Sequence, residues 1–456
     1  MANNSNKNSR YRRSNKKRRR SKKRNNSKII IAVIIASVLI LAICFIVFLV
    51  NRNRLNTTVV SVTDINVLLT NGNSKTWNEI TLSCDVGMSW TESGVAHDAK
   101  QGESITFSSN RPVGTVIELT PLEGVGRFDI NGKGDGYPGK IQLHYTSEGL
   151  QVTDYVPLEE YIKGVITSEM SKSYGLEALK AQAICARSYV LCRAETYAYE
   201  EAMAQVDDTV SYQVYGNNWA GGDALTAVDE TAGVVVKDSE GNIANTWFYS
   251  TSCGYSQTQK AAEFPYLART YISLTGTDPL KKAGVSTADD VVETDKNFEA
   301  SFSDYIRNAD PDALECDTPY FRWEGELNAS LLNSSEKGKF KSMTVNKRST
   351  GGAITSITLQ FEQGYDIIEG EYNIRKKLGP AVKTVKLNNN SNKDITLLPS
   401  SAFSLDKTDE GYKLYGGGFG HGCGMSQNAA KELASEGKSY IDILKFFYKD
   451  CKVEHV

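Results

Sequence analysis

VPLEEYIKGVITSEM, Val156 to Met170, decides how this chain is read. Pro157 suits the first position of a helix, and from there Leu158, Tyr161, Ile162 and Val165 fall on one apolar stripe at helical spacing. Glu169 lies on the same stripe, one turn beyond Val165, while Glu159 and Glu160 face elsewhere. A carboxyl aligned with an apolar face is costly to ionise, because burial disfavours the charged form. The last turn of a helix disfavours an anion as well. Both effects raise the pKa of Glu169, as a general acid working near neutral pH requires. The same pattern has a structural reading: Glu169 caps a neighbouring backbone or pairs with a buried arginine, Arg187 in the next helix being the obvious partner.

Working outward, residues 76–155 alternate in short runs such as ITFSS, TVIEL and KIQLHY, punctuated by Asn-Gly and Gly-Asp-Gly turns, and read as β-rich. A second helix is expected from Leu176 to about Met203, rich in Ala, Glu, Lys and Leu. From Ala232 the pattern is a hairpin turning at Ser239–Asn242, its second strand ending in a small-residue loop. Residues 270–350 are acidic and loop-rich, with a helical piece near 295–308; strands return in SMTVNKRS and ITSITLQF, NNNSNKD is a surface turn, and Ser426 to Tyr448 looks helical.

The expected fold class is α+β: β-rich lobes around a helical pair carrying the acid, preceded by one transmembrane helix. The expected divisions are a basic arm (1–28), a membrane span (29–50), a linker (51–75) and an extracytoplasmic catalytic region (76–456). That region divides into a β-rich part (76–155), the helical pair and loop (156–270), an expanded insertion (271–350) and a C-terminal part with the glycine loop (351–456).

The net charge of −2 over 456 residues hides a strong partition. Residues 1–28 hold thirteen Lys or Arg and no acid, so the rest of the chain is markedly acidic. Ile29 to Val50 carries no charge. At about 1.5 Å per residue it reaches roughly 33 Å, enough to cross a bilayer core of about 30 Å. No A-x-A cleavage pattern follows, so the span reads as an uncleaved anchor. The basic arm before it places the N-terminus in the cytoplasm and the remainder outside. Topology explains that arm better than nucleic-acid binding does.

Of the eight cysteines, Cys44 falls in the span. Cys185 and Cys192 share a helix face about 10.5 Å apart by rise, too far for a disulfide. Cys253 and Cys423 each interrupt a glycine-containing segment, and whether they meet is open. GGGFGHGCGMSQ, Gly416 to Gln427, permits positive φ angles and close backbone approach, and leads into a helix that Ser426 is placed to cap. No G-K-[ST] follows, so it is not a phosphate loop. His421, one of four histidines, is flanked by glycines and well placed to meet a ligand. H-E-x-x-H, C-x-x-C and G-x-S-x-G are all absent, removing the common local zinc signatures and the serine-hydrolase elbow.

Three ordered segments resemble one family, the stage II sporulation protein D group with its SpoIID/LytB domain. They are VPLEEYIKGVITSEM running into GLEALKAQAICARSYVL, the loop FYSTSCGYSQ, and GFGHGCGMSQNAAKELASEGKSYIDILKFFY; EGEYNIRKKLG between them is also similar. The likeness covers most of residues 140–456. It implies a lytic transglycosylase that cuts peptidoglycan glycan strands, preferably peptide-free, during engulfment of the forespore. It makes Glu169 the catalytic acid: the protonated carboxyl would protonate the glycosidic oxygen after an N-acetylmuramic sugar. Its carboxylate would then draw the proton from that sugar's C6 hydroxyl, closing a 1,6-anhydro ring. Ordinary glycosidases need two carboxylates and a water, whereas here one residue serves twice.

Ser252, Gly254, His421, Ser426 and Gln427 are implied walls of the glycan groove, and Arg187, Gln182 and Tyr189 implied supports of the acid. Some relatives bind zinc in the stretch matching DDTVSYQVYG; this chain has Ser211 and Tyr212 there, so neither metal nor other cofactor is expected. Implied partners are peptide-free glycan strands, the cell membrane, a cell-wall amidase and other engulfment proteins, with no nucleic acid. Two other functions fit the likeness: a non-catalytic enhancer of a wall amidase, and a plain glycan hydrolase.

Overall fold

A computed structural model of the chain describes residues 64–456, apart from 218, 220, 259–262, 285–290 and 294–295. The basic arm, the uncharged run at 29–50 and the first part of the expected linker lie outside the described residues. Among those described, no helix is long and apolar enough to cross a membrane.

The β-rich start builds two sheets. Seven strands run in the order Val206–Asp207, Asp64–Leu69, Gly149–Pro157, Lys140–Thr146, Val116–Pro121, Met88–Glu92 and Val95–Ala99. Four more, from Ile105–Ser108 to Lys133–Pro138, form the second. Asp64–Leu69 falls inside the stretch expected as linker; all its side chains but that of Asp64 are buried, and it pairs along its length with Gly149–Pro157. Successive strand residues point to opposite faces, so this unbroken buried run marks a strand covered on both sides.

That central strand feeds directly into helix α1, Leu158–Glu169. Tyr161, Ile162, Val165 and Ile166 bury against α2, Leu176–Leu191, and α3, Asp223–Glu230. Helix α2 ends twelve residues before the expected Met203. Tertiary contacts override its propensity: Gln205 Nε2 donates to the Ala194 carbonyl at 2.7 Å, and Asn66 Nδ2 donates to the Met203 carbonyl at 2.8 Å. Met203 itself turns with φ +51°.

The hairpin expected after Ala232 forms its turn, where Asp238 Oδ1 accepts from the Glu240 and Asn242 amides. The strands then part. Val234–Lys237 pairs with Lys452–His455, and Phe248–Tyr249 pairs in parallel with Met425–Ser426. This second pairing brings the small-residue loop against the glycine loop.

Residues 271–350 are not a free-standing insertion. Helix α4, Lys296–Arg307, is followed by Trp323–Asn328, which pairs with Thr384–Leu387 and Gly411–Gly416, and by Phe340–Ser349, which pairs with Ile354–Phe361. Helix α5, Glu371–Val382, fills the core beneath these sheets. The chain closes with α6, Gln427–Ser435, and α7, Tyr440–Phe447, whose apolar faces join the core around α1 and α2.

Candidate active site

Glu169 ends α1 and is half-buried. Its Oε1 accepts the Val214 amide at 2.7 Å, while Oε2 takes no hydrogen bond among the described residues. Burial pushes its pKa above the usual carboxylate range, opposed by the Val214 N–H and by the Gln427 amide. Gln427 Nε2 faces the carboxyl from outside hydrogen-bonding geometry and is buried without a partner.

The Val214 amide is aimed by its neighbours. The Tyr215 ring presses on α1 at Gly164, where an added Cβ would come within 2.5 Å of the ring, and the Gly216 amide reaches the Gly164 carbonyl at 3.5 Å. Tyr215 is pinned in turn, donating to the buried Asp154 Oδ2 at 2.8 Å. Gln213 Nε2 donates to the Tyr161 hydroxyl at 3.2 Å, fixing the other side.

Arg187 does not touch the acid. Its Nε and Nη2 grip Glu159 at 2.9 and 2.6 Å, and its Nη1 donates to the Val234 carbonyl. The guanidinium is fully buried, so the pair locks α1 to α2 and to the Val234 strand. The expected support of Glu169 by Arg187 is therefore corrected: α2 turns Arg187 toward the start of α1 rather than its end. Gln182 is likewise buried in α2, its two side-chain polar atoms without partners, and makes no bond to Glu169.

Ser252 and Ser426 are also corrected. Neither hydroxyl is a groove wall, since both point at Glu315, a fully buried carboxylate. Ser426 Oγ donates to Oε1 at 2.6 Å, Ser252 Oγ donates to Oε2, and the Ser252 amide adds a bond at 3.1 Å. Burial pushes the Glu315 pKa up to about 7 against these donors. Ser426 does cap α6, accepting from the Ala429 amide. Gly254 turns with φ +102° beneath Tyr305, which leaves no room for a side chain, and so serves the loop's shape rather than a wall.

His421 does reach the site. Its Nδ1 accepts the Cys423 amide at 3.0 Å, and its ring lies against Trp247 and Tyr249. Burial, aided by the Arg375 charge and opposed by the Phe248 carbonyl, pushes its pKa down to about 4. The ring is therefore neutral at neutral pH, with Nδ1 as acceptor and the proton on Nε2. Gly424, with φ +78°, permits the approach of this loop, since a Cβ there would strike the Trp247 carbonyl.

A cavity of about 410 Å³ opens here, lined by Tyr189, Arg193, Val210, Ser211, Tyr212, Trp247, Phe248 and His421. Of the expected site residues only Tyr189 and His421 line it, and no carboxylate does. Arg193 and Trp247 were not singled out in the sequence, and Tyr212 was named only as a non-ligand in DDTVSYQVYG; Trp247 alone offered a signal, the aromatic run NTWFYS beside the small-residue loop. Glu315 had none, lying in the acidic stretch without a pattern around it. Cys253 and Cys423 are both buried and form no disulfide with each other.

The geometry is thus one half-buried acid with an unengaged oxygen, one unpartnered amide facing it, and an aromatic cavity nearby. Comparison with known proteins matches residues 146–237 to a family described as stage II sporulation protein, SpoIID, and residues 255–424 to a domain of unknown function. The amidase enhancer of Bacillus subtilis (strain 168) is 29% identical over 297 residues, covering 63% of this chain and 39% of that protein. Stage II sporulation protein D of the same organism is 28% identical over 333 residues, covering 69% of this chain and 79% of its own length. An uncharacterized protein of Brachyspira hyodysenteriae is 28% identical over 351 residues, 75% of this chain and 78% of that protein.

Proposed function

The chain belongs to the SpoIID family of stage II sporulation proteins, and from that premise we propose that it is a lytic transglycosylase of peptidoglycan glycan strands with Glu169 as its single acid and base. Family membership gives the coarser role, a cell-wall function connected with sporulation; the reaction is our reading. The observation that carries it is the Glu169 carboxyl: held at one oxygen by the Val214 amide, unengaged at the other, and raised in pKa by burial. A carboxyl of this kind keeps its proton to higher pH than an ordinary carboxylate does and can deliver it from Oε2 to a glycosidic oxygen. Once ionised it can accept the C6 hydroxyl proton of the same muramic sugar, whose oxygen closes on C1.

The state of Glu315 favours this over hydrolysis. A glycosidase that uses water needs a second carboxylate across the cleft. Glu315, the other acid tied to these loops, is fully buried and occupied by Ser252 and Ser426, so it is not placed to activate a water. We further propose that the run at 29–50 anchors the chain in the membrane with residues from about 51 outward, facing the wall. A wall amidase that strips peptide stems would then be its partner.

Mass spectrometry of products from purified peptide-free glycan tests the reading on the full chain. Anhydro ends, lost in Glu169→Gln, are expected. Products heavier by one water would make it a hydrolase. No cleavage, together with stimulation of an added amidase, would make it an enhancer, as its relative's name describes.

A further inference from the structure

The cavity beside the acid is walled by rings and carries one permanent charge. Tyr189, Tyr212, Trp247 and Phe248 supply aromatic surface, and Arg193 is the cation. Arg193 is anchored through a single nitrogen: Nη1 donates to the Tyr189 carbonyl at 2.7 Å and to Asn245 Oδ1 at 3.0 Å. Its guanidinium lies 3.7 Å over the centre of the Tyr189 ring. Nε and Nη2 make no hydrogen bond, and no carboxylate pairs with Arg193 among the described residues. A positioned guanidinium with two unengaged donors, beside aromatic faces, is a fork waiting for a planar anion. Tyr212 of the wall lies two residues before Val214, whose amide holds Glu169, so one short segment serves both the cavity and the acid.

We propose that this cavity is a sugar subsite that recognises a carboxylate, with Arg193 as its specificity-determining residue. The proposal rests on the glycan reading above, which identifies the carboxylate as that of the 3-O-lactyl ether of N-acetylmuramic acid. That carboxyl is an anion only when no peptide is attached; with a stem in place it is an amide and offers the guanidinium no charge. The rings pack against sugar faces, and a volume of about 410 Å³ lies in the range of small-molecule sites. Neutral His421 on the same wall adds ring surface without adding charge.

The test is calorimetric binding to the full-length Glu169→Gln chain, which holds glycan without cutting it. Three oligosaccharides are compared: a peptide-free muramic tetrasaccharide, its lactyl methyl ester, and the same sugar bearing peptide stems whose own carboxylates are free. The peptide-free acid is expected to bind about tenfold or more tighter than either of the others, the loss of a charged hydrogen-bonded pair. Adding Arg193→Met is expected to erase that difference, and Arg193→Lys to restore part of it. The ester comparison needs no change in the fold, so an unstable variant does not spoil the result. Equal binding of acid and ester, no binding of any of them, tight binding of the stem-bearing sugar, or a preference that survives Arg193→Met would each overturn the proposal. Failure of the wider reading shows separately, as absence of cleavage by the unsubstituted chain.

Discussion

Gly164→Ala probes the least conspicuous link in the site. Gly164 is buried within α1, and a Cβ there would stand 2.5 and 2.8 Å from Tyr215 Cε2 and Cδ2 and 2.9 Å from the Gly216 carbonyl oxygen. Carbon atoms in ordinary contact sit about 3.5–4.0 Å apart, so the ring must retreat by about 1 Å. It cannot swing away alone, because its hydroxyl is tied to Asp154 and it packs on Tyr137 and Tyr161. The 213–216 segment therefore shifts, carrying the Val214 amide off Glu169 Oε1. Overpacking costs about 1–3 kcal/mol, while alanine recovers about 1 kcal/mol of helix propensity, so the fold survives with a small loss in stability.

The larger effect is on the acid. A hydrogen bond to a charged group contributes about 1.5–3 kcal/mol, which corresponds to about one to two pH units. The Val214 bond favours the carboxylate, so losing it raises the Glu169 pKa further. A general acid fails as pH rises through its pKa, and the alkaline limb of kcat/KM for glycan cleavage should therefore move upward by about one to two pH units. Thermal unfolding and a pH–rate series on both proteins decide the matter. If Gly164→Ala keeps an unshifted alkaline limb at normal rate, the Val214 clamp has no part in tuning the acid.

Two more outcomes follow from the buried carboxylate. Glu315 has an ordinary pKa of 4.5 when unfolded and about 7 when folded. A raised folded value means its stabilising contribution is complete below pH 4.5 and is lost as pH rises toward 7; over that window the fold should weaken by about 3 kcal/mol from this group. Urea midpoints measured across pH 4.5–7.5 should show this slope flattened in Glu315→Gln, and an unchanged slope would contradict the burial. Ser426→Ala removes both a donor to Glu315 and the cap of α6, and should cost about 2–3 kcal/mol in urea denaturation at pH 8. A cost under about 0.5 kcal/mol would show that the contact is dispensable.

How much of this was legible in the residues depends on whether the information was local. The helix bearing Glu169 was readable because Pro157, the apolar stripe and the acid all fall within fifteen residues, and Ser426 as a cap was readable for the same reason. The end of α2 was not, since Gln205 and Asn66, both outside the helix, draw the chain out of it. The partner of Arg187 turned on a helical phase across two elements: Glu159 at the start of α1 faces α2, and Glu169 at its end faces Val214 and Gln427. Strand pairing was the hardest to read. Phe248–Tyr249 pairs with residues more than 170 positions later, and nothing in either dipeptide announces the other.

Glu315 shows why the region of unknown function is part of the site's structure. It lies within residues 255–424, whereas Ser252 and Ser426 lie just before and just after that stretch. One carboxylate from the intervening region thus ties together the two loops that the family likeness singled out. The tie is close to the acid in consequence as well as in sequence: Ser426 caps α6, and Gln427, the first residue of that helix, is the one facing Glu169. A buried charge satisfied by three donors is costly to disturb, because each lost donor leaves an unpaired polar group in a dry interior. The Glu315 contact therefore fixes where Ser426, and with it the start of α6, sits against the loop at Ser252. The 255–424 region supplies this contact by folding back between the loops, and it also places His421 on the cavity wall.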